Sequence, residues 1–183
     1  MSLLQTWLAA LVDRPVLWIA GLVAAQRLSE LWLAEANTRR LLAHGAREVG
    51  AEHYPLFIAL HTSWLMAVVA ATPWSRTPDW GLIALFALMQ FARFWVVSSL
   101  GAFWTTRIIT LDSAPLVRRG PFRWVRHPNY WVVCVEIALL PLAFGDWIVA
   151  AIWTVLNALL LRHRIRLEEA ALARRRWFDA QVR

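Results

Sequence analysis

The stretch RRGPFRWVRHPNYW, residues 118–131, gathers four arginines, one histidine, two prolines and four aromatic side chains. A second polar cluster, LRHRIRLEEA, carries Arg162, Arg164, Arg166, Glu168 and Glu169. Arg126 offers a forked donor that matches a carboxylate or a phosphate. Pro128 suits the first turn of a helix, where its missing N–H costs nothing. The free N–H groups of that turn and the helix dipole together favour an anion. Glu168 and Glu169 can accept hydrogen bonds from hydroxyls or from an ammonium. A site built from Arg126, His127, Asn129, Tyr130 and the two glutamates therefore suits a ligand with a carboxylate, an amine and a diol. S-adenosylmethionine is an amino-acid nucleoside of that kind. A plainer reading of the same residues is an arginine and tryptophan anchor at a membrane face, with a solvated glutamate pair beside it.

The elements that must position these residues are apolar. The chain has 183 residues, is 60% hydrophobic and has a net charge of +7; its mean hydropathy is +0.49. That apolar share exceeds what a soluble domain carries and points to a membrane protein of one domain, residues 1–183. All 19 basic residues are arginine, which suits anionic headgroups better than nucleic acid in so apolar a chain. Residues 1–14 read as an interfacial lead-in. A first helix starts at Pro15 and projects beyond the bilayer toward Gly45. Pro55–Ala71 and Trp80–Leu100 are the second and third spans, which completes three N-terminal spans over residues 15–101. The catalytic region is then residues 102–183.

The apolar block 131–161 is too long for one span, and Pro141, Gly145 and Asp146 interrupt it. Gly-Asp is turn chemistry, so a hairpin is expected. Each arm then has about 15 residues, roughly 22 Å long, too short to span fully and ending in or near the headgroup layer. With five spans, fifteen arginines fall on one side and two, Arg14 and Arg76, on the other. The positive-inside rule then puts the N-terminus outside and the C-terminus in the cytosol. The expectation is an all-α integral membrane protein of five helices, in a bacterial inner membrane, with a cytosolic-side cofactor pocket at the open end of the last hairpin.

RHPNY, followed one hairpin later by RIRLEE, resembles the isoprenylcysteine carboxyl methyltransferase family, which is related to phospholipid N-methyltransferases. SLGAFWTTRIITLDSAPLVRRGPFRW resembles that family's approach to the motif. The front spans look closer to a bacterial branch, some of whose members methylate hydroxyls of long-chain polyketide pyrones and resorcinols. The resemblance implies an S-adenosylmethionine site made by Arg126, His127, Pro128, Tyr130, Glu168 and Glu169, with Gly120 and Pro121 contributing backbone. It places Arg164 and Arg166 near the methyl-transfer centre. The implied activity is methyl transfer to a carboxylate or hydroxyl of a lipophilic, membrane-embedded acceptor. A carboxylate acceptor needs only orientation, for which Arg164 or Arg166 is suited. A phenol or enol would benefit from a base, for which His127 or Glu169 is suited.

Trp131, Glu136 and Arg93 are the expected substrate-side residues. Glu136 needs a partner within the membrane, and Arg93 is the expected one; Arg27 and Glu30, three apart, can pair on one helix face. The histidines lack zinc spacing, so no metal site is expected. The single cysteine, Cys134, cannot form an internal disulfide. No G-x-G occurs, which argues against a Rossmann-type cofactor site. Rival readings are an amine methyltransferase with the same cofactor site, a membrane reductase using NADPH, and a non-enzymatic scaffold.

Overall fold

The computed structural model describes residues 13–111 and 117–181, with side chains placed as far as residue 173. The expected interfacial lead-in lies almost wholly outside these residues, as do the side chains of Arg174–Arg176. The described chain is mainly helical: α1 (Pro15–Ala43), α2 (Tyr54–Ala71), α3 (Trp80–Leu100), α4 (Pro128–Ala143) and α5 (Trp147–Gln181). Four of them, all but α4, are long and apolar enough to cross a membrane.

The ends of these helices follow from their residues. Pro15 and Pro128 open α1 and α4, where a fixed φ and an absent donor cost nothing. Asp79 caps α3 by accepting from the Gly81 and Leu82 amides at 2.8 and 3.1 Å. Gly145 takes φ +76° between α4 and α5, which is the turn expected from Gly-Asp. Asp146 then receives the Thr72 hydroxyl, so the hairpin turn is tied to the end of α2.

The hairpin differs from the expected pair of short arms. Its first arm, α4, has 16 residues, or about 24 Å. Its second arm does not stop at the polar cluster. α5 runs unbroken for 35 residues, roughly 52 Å. LRHRIRLEEA contains neither Gly nor Pro and every residue tolerates a helix, so nothing ends the apolar helix where it becomes polar.

A second difference concerns the all-α expectation. Two three-residue strands, β1 (Arg47–Val49) and β2 (Ile108–Thr110), pair antiparallel with Arg47 opposite Thr110 and Val49 opposite Ile108. They join the α1–α2 connection to the chain that leaves α3. Segments this short carry no legible alternation, and their pairing is set by the helices that bring them together.

The core lies between α1, α2, α3, α4 and the start of α5, around Val16, Val23, Trp64, Val68, Phe86, Ile137, Leu140 and Phe144. Lipid is as apolar as these side chains, so close packing and interhelical hydrogen bonds hold such a bundle rather than escape from water. Pro141 supplies one of those bonds. It cannot donate to the Ile137 carbonyl four residues earlier. Trp64 Nε1 from α2 donates to that carbonyl instead, at 3.1 Å. At the opposite end, the buried Asn37 of α1 donates to the carbonyls of Gly101 and Trp104 at 3.1 and 2.9 Å, which fixes the turn after α3 against α1.

Candidate active site

The first turn of α4 and the polar part of α5 meet. Arg164 and Glu168 are four apart on α5 and so share a face. Tyr130, on α4, lies between them. Arg164 Nε donates to the Tyr130 hydroxyl at 2.8 Å, and that hydroxyl donates to Glu168 Oε2. The His127 ring stacks on Tyr130 with centroids 5.3 Å apart and 18° between planes. His127 Nδ1 is 3.6 Å from Glu168 Oε2, and Nε2 is 3.7 Å from Glu169 Oε1. Arg126 is mostly exposed and approaches Glu169 at 4.0 Å. An aromatic ring thus stands on a line from guanidinium to carboxylate, which fixes the rotamers of all three groups.

The wall facing this line is the chain that leaves α3. Arg164 Nη2 donates to the Thr106 carbonyl at 2.8 Å. Tyr54 at the start of α2 shares a hydrogen bond with Thr106 Oγ1 at 3.1 Å. Arg107 pairs with Glu48 at 3.1 Å and lies over the Tyr54 ring. Desolvation opposes the Arg107 charge, yet the Glu48 hydrogen bond and charge hold its pKa above the ordinary arginine value. The two strands and this ion pair therefore brace the wall that Arg164 touches.

Between these walls lies a cavity of about 520 Å³. Arg118, Arg126, His127, Tyr130, Arg164 and Glu168 supply its polar lining, and Leu100, Phe103, Ile108 and Phe122 part of its apolar lining. That size and mixture match a small-molecule pocket. A second, more apolar cavity of about 860 Å³ runs along α1 and α2. Trp104, Thr105, Asn129, Tyr130 and Arg164 line both. The Tyr130–Arg164 pair is therefore the partition between a polar chamber and an apolar one.

Next to the apolar chamber, four charges form a closed group. Arg93 chelates Glu30, with Nε and Nη2 contacts of 2.6 to 2.8 Å. Arg27 Nη2 lies 2.6 Å from Glu136 Oε2 and Nη1 lies 3.3 Å from Glu30. Arg93 Nη1 closes the ring on Glu136 at 3.3 Å. Two positive and two negative groups cancel, which is what permits charge at this depth. Glu136 is wholly buried, and its Oε1 has no hydrogen-bond partner among the described residues.

The structure brings together Arg126, His127, Pro128, Tyr130, Arg164 and Glu168 around one chamber, with Glu169 at its rim. It separates others from it. Gly120 and Pro121 line neither cavity; Gly120 packs on Ser99 and Trp95 of α3 instead. Arg166 is exposed on α5 and lines neither cavity. Trp131 is 69% exposed and lines neither cavity. Arg93 lines the apolar chamber, while Glu136 stands behind it. The expected pairs Arg93–Glu136 and Arg27–Glu30 are both present, joined into one quartet. Sequence reasoning passed over Tyr54, Trp104, Thr105 and Thr106; the signal for the last three is the run of polar and aromatic residues shortly after the apolar span α3, and for Tyr54 a polar aromatic residue at the mouth of α2. Among the described residues no cluster suits a metal ion.

Residues 82–174 match the family model of the Isoprenylcysteine carboxyl methyltransferase (ICMT) family. The match starts in α3 and includes every residue of the Tyr130–Arg164–Glu168 line. The uncharacterized protein YpbQ of Bacillus subtilis is 35% identical over 158 residues, which cover 84% of this chain and 94% of that protein. An uncharacterized protein of Haemophilus influenzae is 27% identical over 158 residues, covering 82% of this chain and 91% of its own. No solved structure matches the chain at comparable significance.

Proposed function

The chain belongs to the isoprenylcysteine carboxyl methyltransferase family, and from that premise we propose a membrane methyltransferase. It takes S-adenosylmethionine in the polar chamber and a lipophilic acceptor in the apolar one, and methylates a carboxylate or hydroxyl of that acceptor. The single observation that carries this reading is the shared partition: two chambers of opposite polarity meet at Tyr130 and Arg164. The polar chamber opens to the cytosol, with the N-terminus outside, as the arginine distribution favours.

The residues present suit the sulfonium nucleoside. Arg118 and the mostly exposed Arg126, whose contact with Glu169 is long at 4.0 Å, can meet a carboxylate at the rim. Glu168 presents negative charge where a cation would sit, beside the positive end of the α4 dipole. The apolar walls at Leu100, Phe103 and Phe122 can cover an adenine ring. When bound, S-adenosylmethionine supplies an electrophilic methyl group on a cationic sulfur. The protein's part is to orient and to exclude water. Holding two reactants in line in a closed site supplies up to about 7–11 kcal/mol of the barrier. Arg164, held by Tyr130 and the Thr106 carbonyl, keeps the partition fixed while both chambers are occupied.

Calorimetric binding of S-adenosylhomocysteine, compared with NADPH, to the detergent-purified protein tests this. Micromolar binding of the homocysteine product, lost in Glu168→Ala and Arg126→Ala, is the expected result. Binding of NADPH instead would replace the reading with a reductase. Binding of neither ligand to folded protein would leave a scaffold.

A further inference from the structure

The turn that precedes α4 folds back along α3. Arg119 Nε donates to the Ser99 carbonyl at 2.7 Å. The Trp124 ring centroid lies 5.9 Å from that of Trp95, and a β-carbon at Gly120 would meet Trp95 Nε1 at 3.3 Å. The 3-10 turn Gly120–Arg123 is therefore held beside the last turns of α3. From Trp80 to Trp95 that helix rises roughly 22 Å. A hydrocarbon core is about 30 Å thick. With α3 as a span, a turn held at Trp95 stands at the edge of the lipid rather than beyond it.

One face of this turn belongs to the polar chamber, which Arg118, Phe122 and Arg126 line. The other face does not. Arg123 and Trp124 line neither cavity and both are exposed, Trp124 by 70%. Arg123 Cζ sits 5.8 Å from the Trp124 ring centroid. Phe91, one turn before Trp95, is exposed as well. An aromatic surface thus runs from the turn down the outside of α3.

The charge on this face is one-sided. Residues 117–135 hold four arginines and no acidic residue. Arg126 approaches Glu169 only at 4.0 Å, and Arg119 donates to a carbonyl. Among the described residues no carboxylate pairs with Arg123. A guanidinium at the edge of the lipid calls for a counter-charge. Indole rings settle at the headgroup level, and an anionic headgroup is the negative charge found there. A soluble anion would gain nothing from the rings, whereas a lipid can lay its acyl chains on them.

We propose that Arg123 and Trp124 seat the phosphate of an anionic phospholipid, whose acyl chains lie along Trp95 and Phe91 of α3. This lipid is a bound ligand of the turn and not a methyl acceptor, so the inference stands apart from the methyltransferase reading. The seat is the outer face of the wall whose inner face bounds the polar chamber.

The test uses the full chain in mild detergent, titrated with dioleoylphosphatidylglycerol or dioleoylphosphatidylcholine. Native mass spectrometry reads the affinity for the first lipid bound. One arginine beside an anionic surface contributes about 5-fold in affinity. Wild type should hold phosphatidylglycerol at least that much more tightly than phosphatidylcholine. Arg123→Gln should remove about 5-fold from the first affinity and leave the second unchanged. Arg123→Lys, which keeps the charge, should retain most of the preference, and Trp124→Ala should weaken both lipids alike. Arg39→Gln removes the same charge from a side chain 77% exposed on α1 and should change neither affinity. Equal binding of the two lipids by wild type would overturn the proposal. So would an undiminished preference in Arg123→Gln, or an equal loss in Arg39→Gln, which would mean a diffuse positive field. Displacement of phosphatidylglycerol by inorganic phosphate would also overturn it, in favour of a site for a free anion. Arg123 is exposed, so thermal stability should be the same in its variants; if Arg123→Gln unfolds, wild type and Arg123→Lys still decide the lipid preference.

Discussion

The hydroxyl of Tyr130 has one donor in Arg164 and one acceptor in Glu168, so three side chains act as one unit. Tyr130→Phe keeps the ring that stacks on His127 and removes that link. We expect it to weaken S-adenosylhomocysteine binding about 10-fold, as does Glu168→Gln; the double variant should cost little more than either alone, because the unit is already broken. Calorimetry on the three proteins checks this. The quartet behaves differently. Arg93→Leu leaves Arg27 alone to answer both Glu30 and Glu136 at membrane depth, and loss of one partner of a buried pair costs about 3–5 kcal/mol. A large fall in thermal stability in detergent is expected, with partial recovery when Glu30→Leu is added. Much of the site was legible at this scale. RHPNY and RIRLEE named Arg126, His127, Tyr130, Arg164 and Glu168 because each residue type has distinct chemistry. Gly120 and Trp131 were not placeable that way, since a glycine's role is set by what a β-carbon would strike and a tryptophan's by which face of a helix it occupies.

Among the elements, the turn before α4 and the apolar chamber along α1 contrast in how they use glycine. Gly120 takes φ +58°, and a β-carbon there would fall 2.1 Å from Ser99 Oγ. Gly120→Ala should cost about 2 kcal/mol or more from backbone strain and overlap, and should loosen the approach to the polar chamber, read as lower thermal stability together with weaker S-adenosylhomocysteine binding. Gly21 faces open space. Gly21→Leu should leave both of those measurements nearly unchanged while blocking the apolar chamber and lowering acceptor methylation several-fold. The helices themselves were readable: α3 spans the residues that its apolar run predicts, and Pro15 and Pro128 open theirs. The length of α5 was not. Apolarity tells where a helix leaves lipid, and it says nothing about where the hydrogen-bonded spiral stops. The β1–β2 ladder was equally hidden, because three residues carry no period, and it exists through the anchoring of Asn37, Tyr54 and Arg107 around it.

For the molecule as a whole, composition alone indicated a membrane bundle, and the chambers between helices required the packed structure. α4 is about 24 Å long against a hydrocarbon core of about 30 Å; as the proposed fifth span facing lipid, it would require the bilayer to thin beside it or its polar start to sink. Mismatch costs a fraction of a kcal/mol per Å. Activity in vesicles should therefore fall as lipid acyl chains lengthen, measured at constant lipid and protein content; a flat response would mean that α4 is shielded by its neighbours. The partition at Tyr130 has one more consequence. In the proposed reaction it would divide the two reactants between phases of different dimension. The nucleoside would arrive from a volume, with an encounter rate that follows molarity. The acceptor would arrive sideways within a sheet, past Leu28 and Met66, with an encounter rate that follows mole fraction among the surrounding lipids. Adding inert lipid at fixed amounts of protein and acceptor should then slow the second arrival and leave the first untouched, so that a methyltransferase of this design would read how crowded its membrane is with acceptor rather than how much acceptor the suspension contains.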